Sequence, residues 1–163
     1  MKRIRLRRAR AKDWQAIKPI RNSAFVLAYN CMQELNDKQL EEMVSQDAQS
    51  ANVWYIERLI DGSLIGAIYA GEDSLRFGVN SCEISYYLGE AYSHQGYMSE
   101  ALEEVIRQLF ERYDCISARA FKDNEASCRL LERLGFQLEG ILTQAIRGYG
   151  NKVHDDCLYV LKK

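Results

Sequence analysis

Residues 81–136 read SCEISYYLGEAYSHQGYMSEALEEVIRQLFERYDCISARAFKDNEASCRLLERLGF. The stretch divides into an apolar strand, a short polar loop around Gly96, a helix, a second strand and a second helix. Strand, glycine-bearing loop and helix start in that order make an anion cradle. Gly96 lets backbone approach a ligand closely, and the amides of Tyr97, Met98, Ser99 and Glu100 enter the helix with no partner of their own and the positive end of its dipole behind them. A diphosphate fits such a cradle. The plain alternative is an ordinary loop, because many helices follow a glycine without binding anything.

Outward from this stretch, 163 residues of 47% hydrophobic content suit one domain, residues 1–163, with one sizeable core. Lys and Arg number 22 against 23 acidic residues, so no global field draws the chain to nucleic acid or an anionic membrane, and any bound anion must be held locally. No apolar run approaches the ~20 residues that span a bilayer. The opening MKRIRLRRAR lacks the apolar stretch and cleavage site of a secretory signal, so a cytoplasmic location is expected. Cys31, Cys82, Cys115, Cys128 and Cys157 show no paired short spacing, which argues against a metal site or a disulfide framework and for buried thiols in a reducing compartment.

Along the rest of the chain, Ile4 and Leu6 alternate with Arg3, Arg5 and Arg7 as in a strand. The basic residues of this segment suggest either an RNA contact or a solvated strand face, and the balanced total charge favours the second. Asp13 is placed to cap a helix through Ile17 and Ile20 to about Ala28, interrupted or reoriented at Pro19, and Asn36 to cap a helix holding Leu40, Met43 and Val44. Strands are expected over 53–60 and 64–70 around the turn Asp61-Gly62, then over 82–88 and 115–121. A last pair over 138–146 and 153–161 closes through Gly148-Tyr149-Gly150-Asn151. The expected fold is α+β, a mixed sheet of about seven strands flanked by about four helices.

Three blocks carry a family resemblance: Cys82-Glu83-Ile84-Ser85-Tyr86-Tyr87-Leu88; Gln95-Gly96-Tyr97-Met98-Ser99-Glu100-Ala101; and Asp123-Asn124-Glu125-Ala126-Ser127 leading to Leu131-Glu132-Arg133-Leu134-Gly135-Phe136. In this order they resemble the acetyl-CoA-binding core of the Gcn5-related N-acetyltransferases (GNAT), most closely the RimJ/RimL branch that acetylates ribosomal-protein N-termini. The likeness extends to 3–13 and 147–161, and residues 25–51 carry little of it. It implies acetyl-CoA as co-substrate and direct attack by an amine, with no metal and no covalent enzyme intermediate. Homodimers are common in the family.

Carried onto this sequence, the resemblance implies that the loop Ser93-His94-Gln95-Gly96-Tyr97-Met98, with Ser99, binds the CoA diphosphate. Related loops often hold an earlier glycine and an aromatic or basic residue where Ser93 and His94 stand. Leu88 and Gly89 would hold the thioester through main-chain groups, in a slot where the strands ending at Leu88 and Phe121 splay. Glu83 stands where the family often has a carboxylate, and reads either as the base that takes the amine proton or as an ion-pair partner for a neighbouring arginine. Many relatives protonate the leaving thiolate with a tyrosine at the position of Leu131, whereas in the RimJ/RimL branch the proposed acid is the serine matching Ser127. Asn124 would hydrogen-bond the pantetheine arm, with capping of the next helix as the plain alternative, and for Ser127 the plain alternative is a bond to backbone alone. Arg129 and Arg133 share a helix face and either approach phosphates or stay in solvent.

An α-amine near pKa ~8 needs a weaker base than a lysine near ~10.4. The acceptor is expected to be a protein N-terminus or a small primary amine such as an antibiotic, polyamine or amino acid. A non-enzymatic acetyl-CoA sensor is the alternative, and an RNA-associated factor using the Arg-rich strand a third reading. His154, Asp155 and Asp156 invite a hydrolase triad, which the lack of a GxSxG elbow rejects.

Overall fold

The computed structural model describes residues 2–163. Seven strands form one sheet in the order β1-β2-β3-β4-β5-β7-β6. They are β1 (Ile4–Arg7), β2 (Val53–Arg58), β3 (Leu64–Gly71), β4 (Ser81–Leu88), β5 (Cys115–Phe121), β6 (Gln137–Arg147) and β7 (Val153–Lys162). Only β4 and β5 pair in parallel, joined by the crossover helix α4 (Tyr97–Leu109). All other neighbours are antiparallel, so the sheet is mixed as expected. Gly62 makes the β2–β3 turn at φ +71°, a conformation that costs a residue with a Cβ.

Strand alternation sends apolar side chains to both faces of the sheet centre, and each face needs a helical cover. On one face Ile56, Ile68, Ile84 and Ile116 pack beneath Leu102, Val105 and Leu109 of α4 and Leu130 and Leu131 of α5 (Glu125–Arg133). On the other, Tyr55, Ala67 and Tyr87 pack beneath Ile17 of α1 (Trp14–Arg21), Val26 of α2 (Ala24–Ala28) and Val44 of α3 (Asp37–Gln49). Leu102 is fully enclosed. Leu102→Ala therefore costs about 2–5 kcal/mol of unfolding free energy in a denaturant titration, through lost burial and the cavity left behind.

The N-terminal half departs from expectation in its detail. The five helices of the described residues agree with the expected count of about four. Pro19 lies inside α1 without ending it; the break comes after Arg21, where Ser23 caps the short α2 by accepting from the Val26 amide. Asp13 does not cap α1. Its carboxylate accepts from the Arg10 amide at 2.7 Å and pairs with Arg7 at 2.7 Å, which fixes the turn before the helix. Asn36 does cap α3, in a reciprocal box with Gln39. The β1 arginines are matched by acids: Arg3 by Glu100, Arg5 and Arg7 by Glu57. Among the described residues no helix is long and apolar enough to cross a membrane.

Candidate active site

Parallel pairing of β4 with β5 runs from Ser81↔Cys115 to Ile84↔Ala118 and ends there. Beyond that point β4 stays on β3, through to Gly66↔Leu88, while β5 stays on β7 through to Phe121↔Asp156. The sheet therefore parts between residues 85–88 and 119–121. The Gly89 amide donates to the Ile65 carbonyl across β3 at 2.8 Å. Donors alternate along a strand, so the Leu88 amide turns the other way, toward the gap. A cavity of about 640 Å³ opens through it, bounded by Ser85, Tyr86, Tyr87 and Leu88, by Arg119 and Ala120, and by the start of α5. Phe25 of α2 and Tyr29 just past its end form a further wall.

One end of the cavity is the loop entering α4. His94 and Gly96 both take left-handed backbone, φ 57° and 80°, which curls the chain tightly before the helix. No side chain caps α4, and its first backbone bond is Glu100 N–H to Gly96 at 3.1 Å. The amides of Tyr97, Met98 and Ser99 are thus free of helical partners, and these residues line the cavity together with Ser93, His94 and Gly96. Gln95 and Gly89 do not. Gln95 donates its side-chain amide to the Ala91 carbonyl at 2.8 Å, and its own carbonyl accepts from Arg3 at 2.8 Å. Gly89 has its amide on β3 and its carbonyl on the Tyr92 amide. Arg3 anchors the loop from outside the cavity: its Nε reaches Glu100 at 3.0 Å, and its guanidinium lies 4.7 Å from the Tyr97 ring centre.

Asn124 and Ser127 line the opposite wall. Asn124 Oδ1 accepts from the Ser127 amide at 3.2 Å, so the cap is real, and it engages only the oxygen of that side chain. The Ser127 hydroxyl meets the Tyr86 hydroxyl at 2.7 Å rather than a backbone group. Burial pushes the Tyr86 phenol up to about 12, with the Ser127 contact pulling against it. Arg129 pairs with Glu125 at 3.3 Å on the open surface, whereas Arg133 lines the cavity. Leu131 is wholly buried in the core and presents no polar group.

Glu83 lies in the paired part of β4, opposite Ser117 and one residue before the pairing ends, on the same strand face as Ser85 and outside the residues that line the cavity. It does not form the ion pair that a neighbouring arginine offers. Arg119 on β5 binds Asp156 instead, at 2.5 and 2.6 Å, and Ser117, Glu83's register partner, donates to Asp73 at 2.6 Å. Glu83 Oε2 is consequently buried without a partner. Burial raises its pKa; Arg119 opposes the shift, and Asp73 and Asp156 add to it. A desolvated carboxyl of this kind holds protons more tightly than a surface glutamate. His154 belongs to a different arrangement: it stacks on Phe121 at 4.2 Å and meets Asp123 at 3.1 Å, while Asp155 accepts from the Gln144 amide.

A parallel pair that parts, with a helix-entry cradle at one end of the gap and a partnerless buried carboxylate oxygen just before the parting, defines the site. The family model described as acetyltransferase (GNAT) domain matches residues 3–137. The chain belongs to this family. Among relatives of this GNAT chain, the uncharacterized N-acetyltransferase YoaA of Bacillus subtilis (strain 168) is 36% identical over 112 residues, 68% of this chain and 62% of its own length. The match thus spans less than two thirds of that relative. A GNAT-family acetyltransferase from Bacillus anthracis superposes with a TM-score of 0.87 at 23% identity, covering 99% of this chain and 95% of that one. RimJ from Mycobacterium smegmatis, in complex with CoA-disulfide, superposes with a TM-score of 0.81 at 21% identity, covering 98% and 81%. These two likenesses establish the shared GNAT fold.

Sequence reading did not single out Tyr86. Its place was nonetheless available, because alternation from Ile84 to Leu88 puts it on the face that α4 and α5 cover. The length of its reach to Ser127 was not.

Proposed function

We propose that this GNAT chain is an acetyl-CoA-dependent N-acetyltransferase of the RimJ/RimL kind, acting on a primary amine by direct attack. One observation carries the reading: the strands part just past Glu83, whose buried Oε2 has no partner, and the cavity opened by that parting ends at the cradle of free amides. The amides of Tyr97, Met98 and Ser99 hold the CoA diphosphate at the helix N-terminus. Asn124 meets the pantetheine arm. The Leu88 amide faces the thioester oxygen and strengthens its hold as charge builds there. Glu83 accepts the proton of the attacking amine, directly or through water, and Ser127 supplies one to the departing thiolate. Gly89 and Gln95 support the loop through their backbone contacts. A module that only sensed acetyl-CoA would need the cradle and neither the Glu83 carboxyl nor the hydroxyl pair.

The acceptor best supported by a single desolvated carboxylate is an α-amine, which sheds its proton more readily than a lysine. Phe25 and Tyr29, in the segment of least family likeness, form the wall that selects it. The free state of all five cysteines supports a reducing, cytoplasmic setting. The exposed Leu138, Ile141 and Leu142 on the edge strand β6 support self-association as a homodimer. The test is thiol release from acetyl-CoA against peptides with free or blocked α-amines and against small amines, with the product identified by mass spectrometry. Acetylation at the free α-amine is the expected product; a folded chain that binds CoA and acetylates nothing across the panel overturns the enzyme reading.

Arg3 gives a separable prediction. Arg3→Ala frees the Gln95 carbonyl and the Tyr97 ring, so CoA affinity drops by about threefold to tenfold, at most ~1.4 kcal/mol. The pair it breaks is partly exposed, so thermal stability changes little. Calorimetric titration alongside a melting curve separates the two effects.

A further inference from the structure

The hydroxyl pair deepens the acetyl-transfer reading and rests on it. Tyr86 of β4 and Ser127 of α5 meet at 2.7 Å across the parted strands, and both line the cavity. The Ser127 backbone is fixed by the Asn124 cap, so the geometry of the pair is set from two elements at once. Leu131 contributes only hydrocarbon to the core, so α5 offers no phenol at that position. An aliphatic hydroxyl is a poor source of a proton, because giving one up leaves an alkoxide. A phenol beside it relieves that difficulty.

We propose that Tyr86 and Ser127 form a two-hydroxyl relay. As the C–N bond forms and the C–S bond breaks, Ser127 Oγ passes its hydrogen to the departing sulfur and the Tyr86 hydroxyl passes its own to Ser127 Oγ. The charge stands on the phenol oxygen only until its proton is replaced, and no serine alkoxide forms. The amine proton taken by Glu83 returns to the Tyr86 oxygen through solvent, so the cycle closes with one proton moved from nitrogen to sulfur and no oxidant or second reactant. Burial keeps Tyr86 protonated across the neutral range, ready to donate, and the Ser127 contact eases the ionisation that the transfer demands.

The same pair must stabilise the thiolate of bound CoA, which gives a test that needs no acceptor. The ultraviolet thiolate band is titrated as the difference between the CoA and desulfo-CoA complexes of the wild type, Tyr86→Phe, Ser127→Ala and the double variant. Tyr86→Phe retains the ring and therefore the packing. In the wild type the bound thiol ionises about tenfold more readily than free CoA, a shift of about one pKa unit. Ser127→Ala abolishes the shift, Tyr86→Phe removes most of it, and the double variant matches Ser127→Ala, with CoA affinity unchanged in all. A purely structural Tyr86 alters melting or affinity and leaves thiol ionisation as in the wild type, and that result overturns the relay. Additive losses in the double variant overturn it as well. Uptake of CoA with an unshifted thiol removes the relay alone, whereas no uptake by the wild type removes the donor reading with it.

Discussion

Glu83→Gln lowers the rate of acetyl transfer by a factor on the order of 10² or more while leaving acetyl-CoA binding intact. The substitution keeps the shape of the side chain and removes its ability to accept a proton. The structure gives Glu83 no competing duty, since Arg119 is engaged by Asp156 and Ser117 by Asp73. In the wild type, activity rises with pH as Glu83 ionises, and burial places the midpoint above the ordinary carboxylate range. The variant loses that limb. Stability moves in the opposite sense. With the folded pKa raised above the unfolded one, the folded state binds more protons between the two values, so the wild type loses stability as pH rises through that window. Glu83→Gln is therefore at least as stable as the wild type at neutral pH. Rates across pH, with melting curves on the same samples, check both statements, and undiminished turnover at every pH makes Glu83 structural.

Gly96→Val weakens CoA binding by more than tenfold, at least ~1.4 kcal/mol. Two causes act together. Gly96 sits at φ +80°, where a Cβ costs roughly 1–2 kcal/mol and a branched one more. Its Cβ would also stand 3.3 Å from the Arg3 guanidinium that ties the loop, at the point where backbone must approach the diphosphate. Gly62→Val is the matched control. Gly62 has φ +71°, nothing within 4 Å of its would-be Cβ, and a place on the β2–β3 turn outside the residues that line the cavity. Both variants lose stability through backbone strain, and only Gly96→Val loses CoA in a calorimetric titration.

Much of this was legible in the sequence because it is local. The alternation over 82–88, the Asp61-Gly62 turn and the single glycine before a helix each report a backbone state that neighbouring residues determine, and the strands fell within a few residues of those readings. The unreadable parts depend on contacts between distant segments. No periodicity records that β5 leaves β4 after Ala118, yet that parting creates the cavity. Asp13 reads as a helix cap and instead binds Arg7, because β1 brings a guanidinium to it. The choice of Arg119 for Asp156 over Glu83 is likewise a matter of the β5–β7 pairing, and it decides whether a carboxyl is neutralised or left free. Gly89, read beside Leu88 as a donor, has its amide claimed by β3. Residues 25–51 gave little because the wall proposed there for the acceptor would be shaped by its ligand and follows no backbone rule.

Titrating the folded chain calorimetrically with CoA and with acetyl-CoA tests most directly whether free amides beyond Gly96 hold a CoA diphosphate at the mouth of the parted strands. Saturable uptake of one molecule per chain, of both ligands in competition and abolished or greatly weakened by Gly96→Val, is the predicted result. A correctly folded chain that takes up neither ligand contradicts it.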